Sequence, residues 1–157
     1  MMNGSSAPLD SFLICRSGLR FCGFPLQHVA ETMRVLPLEP FPEMPSFVLG
    51  VSIVRGVAVP VVNLALLLGV TESCQLTRYV TLNLGARQVA FAVEAVIGVR
   101  HLGVDMINDL PPLLSQTESG VVAAITTLDT ELLLVLNGMR FFHENDLESV
   151  CAQAIHS

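Results

Sequence analysis

Short apolar runs, each cut by a glycine or a polar pair, dominate the chain. FLICRS (12–17) and LRFCGF (19–24) flank Gly18; GVSIV (50–54) and VAVPVV (57–62) flank Arg55-Gly56. RYVTLNL (78–84) and RQVAFAV (87–93) flank Gly85-Ala86, and VVAAITTL (121–128) and ELLLVL (131–136) flank Asp129-Thr130. Paired runs around so small a break predict four β-hairpins and antiparallel sheet. The runs alternate poorly with polar residues, which predicts strands covered on both faces or closed into barrels. MRVL (33–36) is one more short apolar run. Helices are few. PLQHVAE (25–31) has room for a turn or two, and NLALLLG (63–69) has a capping Asn63 and a closing Gly69. GMRFFHENDLESVCAQAI (138–155) carries a helical apolar stripe. The proline-rich PLEPFPEMP (37–45) reads as an extended connector, 103–120 as a loop, and residues 1–10 as a disordered terminus.

The pattern repeats. Laying Gly18 over Gly85, an offset of 67, brings Arg20 onto Arg87, Phe24 onto Phe91 and Val29 onto Val96. Laying Asn63 over Asn137, an offset of 74, brings the Arg55-Gly56 turn onto Asp129-Thr130. Each half therefore reads as hairpin, short excursion, strand, hairpin and short helix, and two packed copies of one small barrel are the economical expectation.

Composition sharpens this. Of 157 residues, 52% are hydrophobic and 14% charged, and the mean hydropathy is +0.62. A membrane span needs about 20 mostly apolar residues, but the best candidate, 44–71, contains Arg55, Pro45, Pro60, Gly50, Gly56 and Asn63. Buried strands explain it better, and no direct membrane insertion is expected. The N-terminal MMNGSSAPLDSFLIC has no basic residue and does not resemble a signal peptide, so a cytoplasmic protein is expected. All eight basic residues are arginine and the net charge is −6. The absence of lysine excludes a phosphate-loop lysine and a Schiff base, and no basic patch points to nucleic acid.

Catalytic constellations are missing from the sequence. His28, His101, His143 and His156 are scattered, no pair among Cys15, Cys22, Cys74 and Cys151 has metal-ligand spacing, and no Gly-x-Ser-x-Gly occurs. No cofactor or metal is expected. Cys15 and Cys22 sit where a Gly18-Leu19 turn brings them opposite each other, as packed, reduced thiols. The remaining reading is a binding module that exposes apolar patches to partners. The alternative from another class is a small cysteine-dependent hydrolase using Cys22 or Cys74 with His28 or His101.

FVLGVSIVRGVAVPVVNLALLLG, followed by LNLGARQVAFAVEAVIGV, resembles the CheW-like domain of bacterial chemosensory systems. The shared pattern is apolar-Gly-x-x-x-x-Arg-Gly-x-x-x-Pro-x-x-(Asp/Asn)-Leu, then a Gly-turn hairpin ending in Val-(Asp/Glu)-x-Val, over about residues 11 to 140. Asn63 replaces the usual Asp and keeps its capping role. The resemblance implies a mainly β fold of two intertwined, five-stranded SH3-like β-barrels around a shared hydrophobic core. It implies one domain over 11–157, with barrel subdomains at roughly 11–70 and 76–140. It further implies a non-enzymatic, stand-alone adaptor between the cytoplasmic tip of methyl-accepting chemoreceptors and the regulatory domain of a CheA-type histidine kinase, in arrays at the inner membrane. That regulatory domain resembles the adaptor, so the two alternate in rings. A pathway such as pilus motility is the variant reading. By position, the resemblance assigns partner contacts to Arg55 with its neighbours Val54 and Gly56, to Val29 and Glu31, to Gly50, and to Val96, Ile97 and Val99 near a groove for the receptor tip.

Overall fold

The computed structural model describes residues 9–70, 74–110 and 121–137. The helix expected over 138–155 lies outside these residues, as do residues 1–8 of the terminus expected to be disordered over 1–10, whereas Leu9 and Asp10 begin the first strand, paired with Gly103 and Leu102. The four hairpins form where the apolar runs place them. They are β1 (Leu9–Ser17) with β2 (Arg20–Pro25), β4 (Val48–Val54) with β5 (Val57–Asn63), β6 (Arg78–Leu84) with β7 (Arg87–Val93), and β10 (Val122–Leu128) with β11 (Glu131–Leu136). Three more strands, β3 (Val29–Arg34), β8 (Ala95–Gly103) and the two-residue β9 (Asn108–Asp109), complete the ladders. Helix is scarce. Over 25–31 only one 3-10 turn forms, Leu26–His28, because β-branched Val29 starts a strand that pairs with β6. The helix α1 (Leu64–Leu67) is capped by Asn63, whose Oδ1 accepts from the Leu66 N–H at 3.2 Å.

The strands form two sheets, ordered β8-β1-β2-β11-β10-β9 and β3-β6-β7-β5-β4. Each half lends its excursion strand to the other half's hairpin: β3 adds to β6, and β8 adds to β1. In each sheet the two hairpins meet through a parallel contact, β2 with β11 and β7 with β5.

This corrects the expectation of two five-stranded SH3-like barrels. The sheets are open, one with six strands and one with five. No ladder joins β3 to β4 or β8 to β9. At the first seam, β3 ends at Arg34 and the proline-rich connector takes the free edge of β4 instead. Glu39 and Val51 exchange both backbone hydrogen bonds, at 2.7 and 2.9 Å. Prolines lack the N–H a longer ladder needs, so pairing stops there. At the second seam, β9 is too short to close anything.

The duplication is visible in the irregularities. β3 bulges at Ala30 and β8 at Ile97, 67 residues apart; β4 bulges at Leu49 and β10 at Ala123, 74 apart. Matching bulges at matching offsets mark two copies of one unit.

The apolar runs are explained by cores on both faces. The largest core lies between the sheets and includes Cys15, Phe24, Leu82, Phe91 and Leu136. The rings of Phe24 and Phe91, one from each sheet, are 5.3 Å apart. Val59, Val61, Tyr79, Ala90 and Ala92 form a second core on the other face of the five-stranded sheet, and Phe12, Ile14, Leu133 and Val135 form a third on the six-stranded sheet. Strand β7 therefore sends Val89, Phe91 and Val93 one way and Ala90 and Ala92 the other, and has no polar face to show in its sequence.

Candidate functional site

Two hairpin tips share one end of the five-stranded sheet. Because β5 and β7 run parallel, their starting turns, Arg55-Gly56 and Gly85-Ala86, lie side by side. A groove of about 310 Å³ runs between them, lined by Glu31, Val54, Arg55, Val57, Arg87 and Gln88 among others. Arg55 has φ of 51° and Gly56 of 79°, the two left-handed corners of a type I′ hairpin turn. Asparagine or glycine is the usual occupant of the first corner, so an arginine there spends stability. Val54 beneath it is buried in the second core and anchors the tip.

Glu31 meets Arg55 across the open seam. The Arg55 Nε donates to Oε2 at 2.7 Å and Nη2 to Oε1 at 2.9 Å, a two-pronged pair. The Arg55 side chain is 77% exposed and that of Glu31 30%. Hydrogen bonding from Arg55 holds the Glu31 carboxyl below its ordinary range, and the same bond raises the Arg55 guanidinium. The β3 bulge aims Glu31. Thr81 Oγ1 accepts from the Glu31 N–H and donates to its carbonyl, both at 3.2 Å, fixing the backbone just after the extra residue. At the repeat-related tip, Asp129 stands for Arg55 and Gly98 for Glu31, so the second half cannot form this pair.

The other expected contact residues fall elsewhere. Val29 and Val96, repeat partners, both pack on the core between the sheets. Ile97, the bulge residue of β8, and Val99 are 45% and 42% exposed, so β8 exposes apolar side chains beside the exposed Arg100 and His101. Gly50 is buried. Its φ is 149°, and a Cβ there would sit 2.6 Å from the Glu39 carbonyl oxygen, so its glycine is demanded by the seam. The structure thus gathers Glu31, Val54, Arg55 and Gly56 at one tip, sets Val29, Val96, Ile97 and Val99 on β3 and β8, and leaves Gly50 under the connector. Arg87 and Gln88 joined the groove unannounced. Their hairpin was legible, but the parallel pairing that carries it beside Arg55 was not.

Neither Cys15 nor Cys22 resembles an activated nucleophile. Cys15 and Cys22 are register partners, free and buried. Burial pushes the Cys15 thiol up to about 12 and Cys22 higher still, whereas a nucleophilic cysteine needs its thiolate. His101 Nδ1 is engaged with Ser11 Oγ at 2.7 Å. Among the described residues no His, Cys, Asp and Glu group is arranged to hold a metal, and no helix is long and apolar enough to cross a membrane. A larger cleft of about 720 Å³ opens beside Leu26, His28 and Ile107 on the six-stranded sheet; it holds none of the expected contact residues.

Residues 11–146 match the CheW-like domain. A probable chemotaxis protein CheW of Rhizobium etli is 25% identical over 126 residues, covering 79% of this chain and 81% of the relative. Protein FrzA of Myxococcus xanthus is 33% identical over 109 residues, covering 68% and 67%. The crystal structure of the scaffolding protein TtCheW from Thermoanaerobacter tengcongensis superposes with a TM-score of 0.77 at 19% identity, covering 86% of this chain and 93% of that one. By the domain match across nearly its whole length, this chain belongs to the CheW-like domain family.

Proposed function

We propose that this chain is a non-enzymatic signalling adaptor that couples chemoreceptors to a CheA-type histidine kinase. The observation that carries the reading is the family match over residues 11–146. The site agrees with it: the chemistry at the β4–β5 tip is recognition chemistry, an exposed arginine held in a fixed pose by Glu31 and flanked by Val57, which is 49% exposed. Exposed Arg and apolar side chains on rigid strands are what a protein partner reads. In this reading Glu31, Val54, Arg55 and Gly56 form one contact region. Val29, Val96, Ile97 and Val99 line a second, for the receptor tip, and Gly50 supports the first from below.

The direct test is co-sedimentation with receptor-containing membranes, with and without the kinase. The chain is expected to pellet with the receptors and to increase the kinase that pellets with them. Failure to pellet under both conditions contradicts the reading. Service in another chemosensory pathway, such as pilus motility, is the alternative reading. Receptors and kinases from different pathways of one organism, compared in the same assay, separate the two.

A further inference from the structure

The groove between the two tips holds a second arginine that the ion pair does not use. Arg87 opens β7 and lines the same groove as Arg55 and Glu31. The fork of Arg55 is occupied by Glu31, the only carboxylate among the described residues of the lining. The Arg87 guanidinium has no hydrogen-bond or ion-pair partner among the described residues. Two guanidiniums against one carboxylate make this groove positive on a chain whose net charge is −6. Val57 supplies apolar surface on the same rim. The corners are open as well, since a Cβ added at Gly56 or Gly85 would meet nothing within 4 Å.

The repeat provides an internal comparison. Arg20 is the counterpart of Arg87, but the facing tip there carries Asp129 and Glu131 where the first half has Arg55 and Val57. The same place in the duplicated fold is thus acidic at one end of the molecule and basic, with an unspent guanidinium, at the other.

We propose that Arg87 is a carboxylate receptor and that the groove takes a partner segment bearing an acidic side chain next to an apolar one. The carboxylate meets the Arg87 fork and the apolar neighbour covers Val57. The planar donors of arginine suit a carboxylate in a way the point charge of lysine does not. The proposal rests on the adaptor reading and adds to it the chemistry of the partner surface and a residue that selects for it.

The test is co-sedimentation of the full chain with receptor membranes and, separately, with kinase, comparing wild type, Arg87→Glu, Arg87→Gln, Arg87→Lys and Arg20→Glu. Affinity for at least one partner is expected to fall about tenfold or more in Arg87→Glu and severalfold in Arg87→Gln, with Arg87→Lys between wild type and Gln. Arg20→Glu is expected within about twofold of wild type, and the salt dependence is expected to flatten in Arg87→Gln. An unchanged melting temperature for Arg87→Gln separates lost recognition from lost folding. The proposal is overturned if wild type binds and Arg87→Glu binds equally well, if Arg20→Glu loses as much, or if Arg87→Glu alters only self-association of the chain. If wild type binds neither partner, the adaptor reading fails and the proposal falls with it.

Discussion

Arg55 is where backbone cost and side-chain use part company. Its left-handed φ of 51° would suit glycine better, and its exposed ion pair adds little to folding. Arg55→Gly is therefore expected to leave the melting temperature unchanged or raised while weakening partner binding. Arg55→Glu is expected to keep its circular dichroism spectrum and lose about tenfold or more in binding, because it sets two acids face to face. An unfolded Arg55→Glu would mean that the arginine is structural. The pair also has a pH signature. Glu31 titrates below its ordinary 4.5 because Arg55 hydrogen-bonds its charged form. The pair's contribution is complete above that ordinary value and is lost as pH falls through the lowered one. A side-chain carbon NMR titration should give Glu31 a midpoint under 4.5 in wild type and return it to the ordinary range in Arg55→Gly. Identical midpoints in the two proteins would contradict the pairing. Both residues stood out in the sequence, but their partnership did not, since it depends on a bulge that no local pattern announces.

At the scale of elements, the seams of the two sheets decide the outcome. Hairpins were legible because glycine punctuation and apolar runs are local signals. Closure was not, because a strand covered on both faces by separate cores reads the same as a strand in a barrel. The connector that ends the first ladder depends on Gly50, which lets the Glu39 backbone approach β4. Gly50→Ala is expected to destabilise by about 2–4 kcal/mol in urea unfolding, from backbone clash and a φ that alanine avoids. A change under about 0.5 kcal/mol would show that the connector does not hold the seam. Buried polar groups pin the same connector. Tyr79 donates to the Leu36 carbonyl at 3.1 Å and Ser52 to that of Pro37 at 3.0 Å, so two carbonyls over the second core are satisfied.

The whole molecule is held by the core that the sheets share. Phe24 and Phe91 meet there from opposite sheets, and both are fully buried. Phe91→Ala is expected to cost about 3–5 kcal/mol and to leave one cooperative unfolding transition by both circular dichroism and calorimetry. Two separate transitions would mean that the sheets fold independently. The internal repeat was readable in the chain and its bulges match in the structure. The exchange of β3 and β8 between halves was not readable, because those pairings join residues far apart in sequence. A duplicated fold with different chemistry at its two ends suits a protein whose work is to join others.

The most direct measurement is of receptor control over kinase phosphorylation in a reconstituted mixture of receptor membranes, kinase and this chain. With the chain present, kinase autophosphorylation is expected to respond to receptor ligand; without it, or with Arg55→Glu in its place, the response is expected to be lost or strongly reduced. A ligand response of equal size with and without the chain would contradict the account.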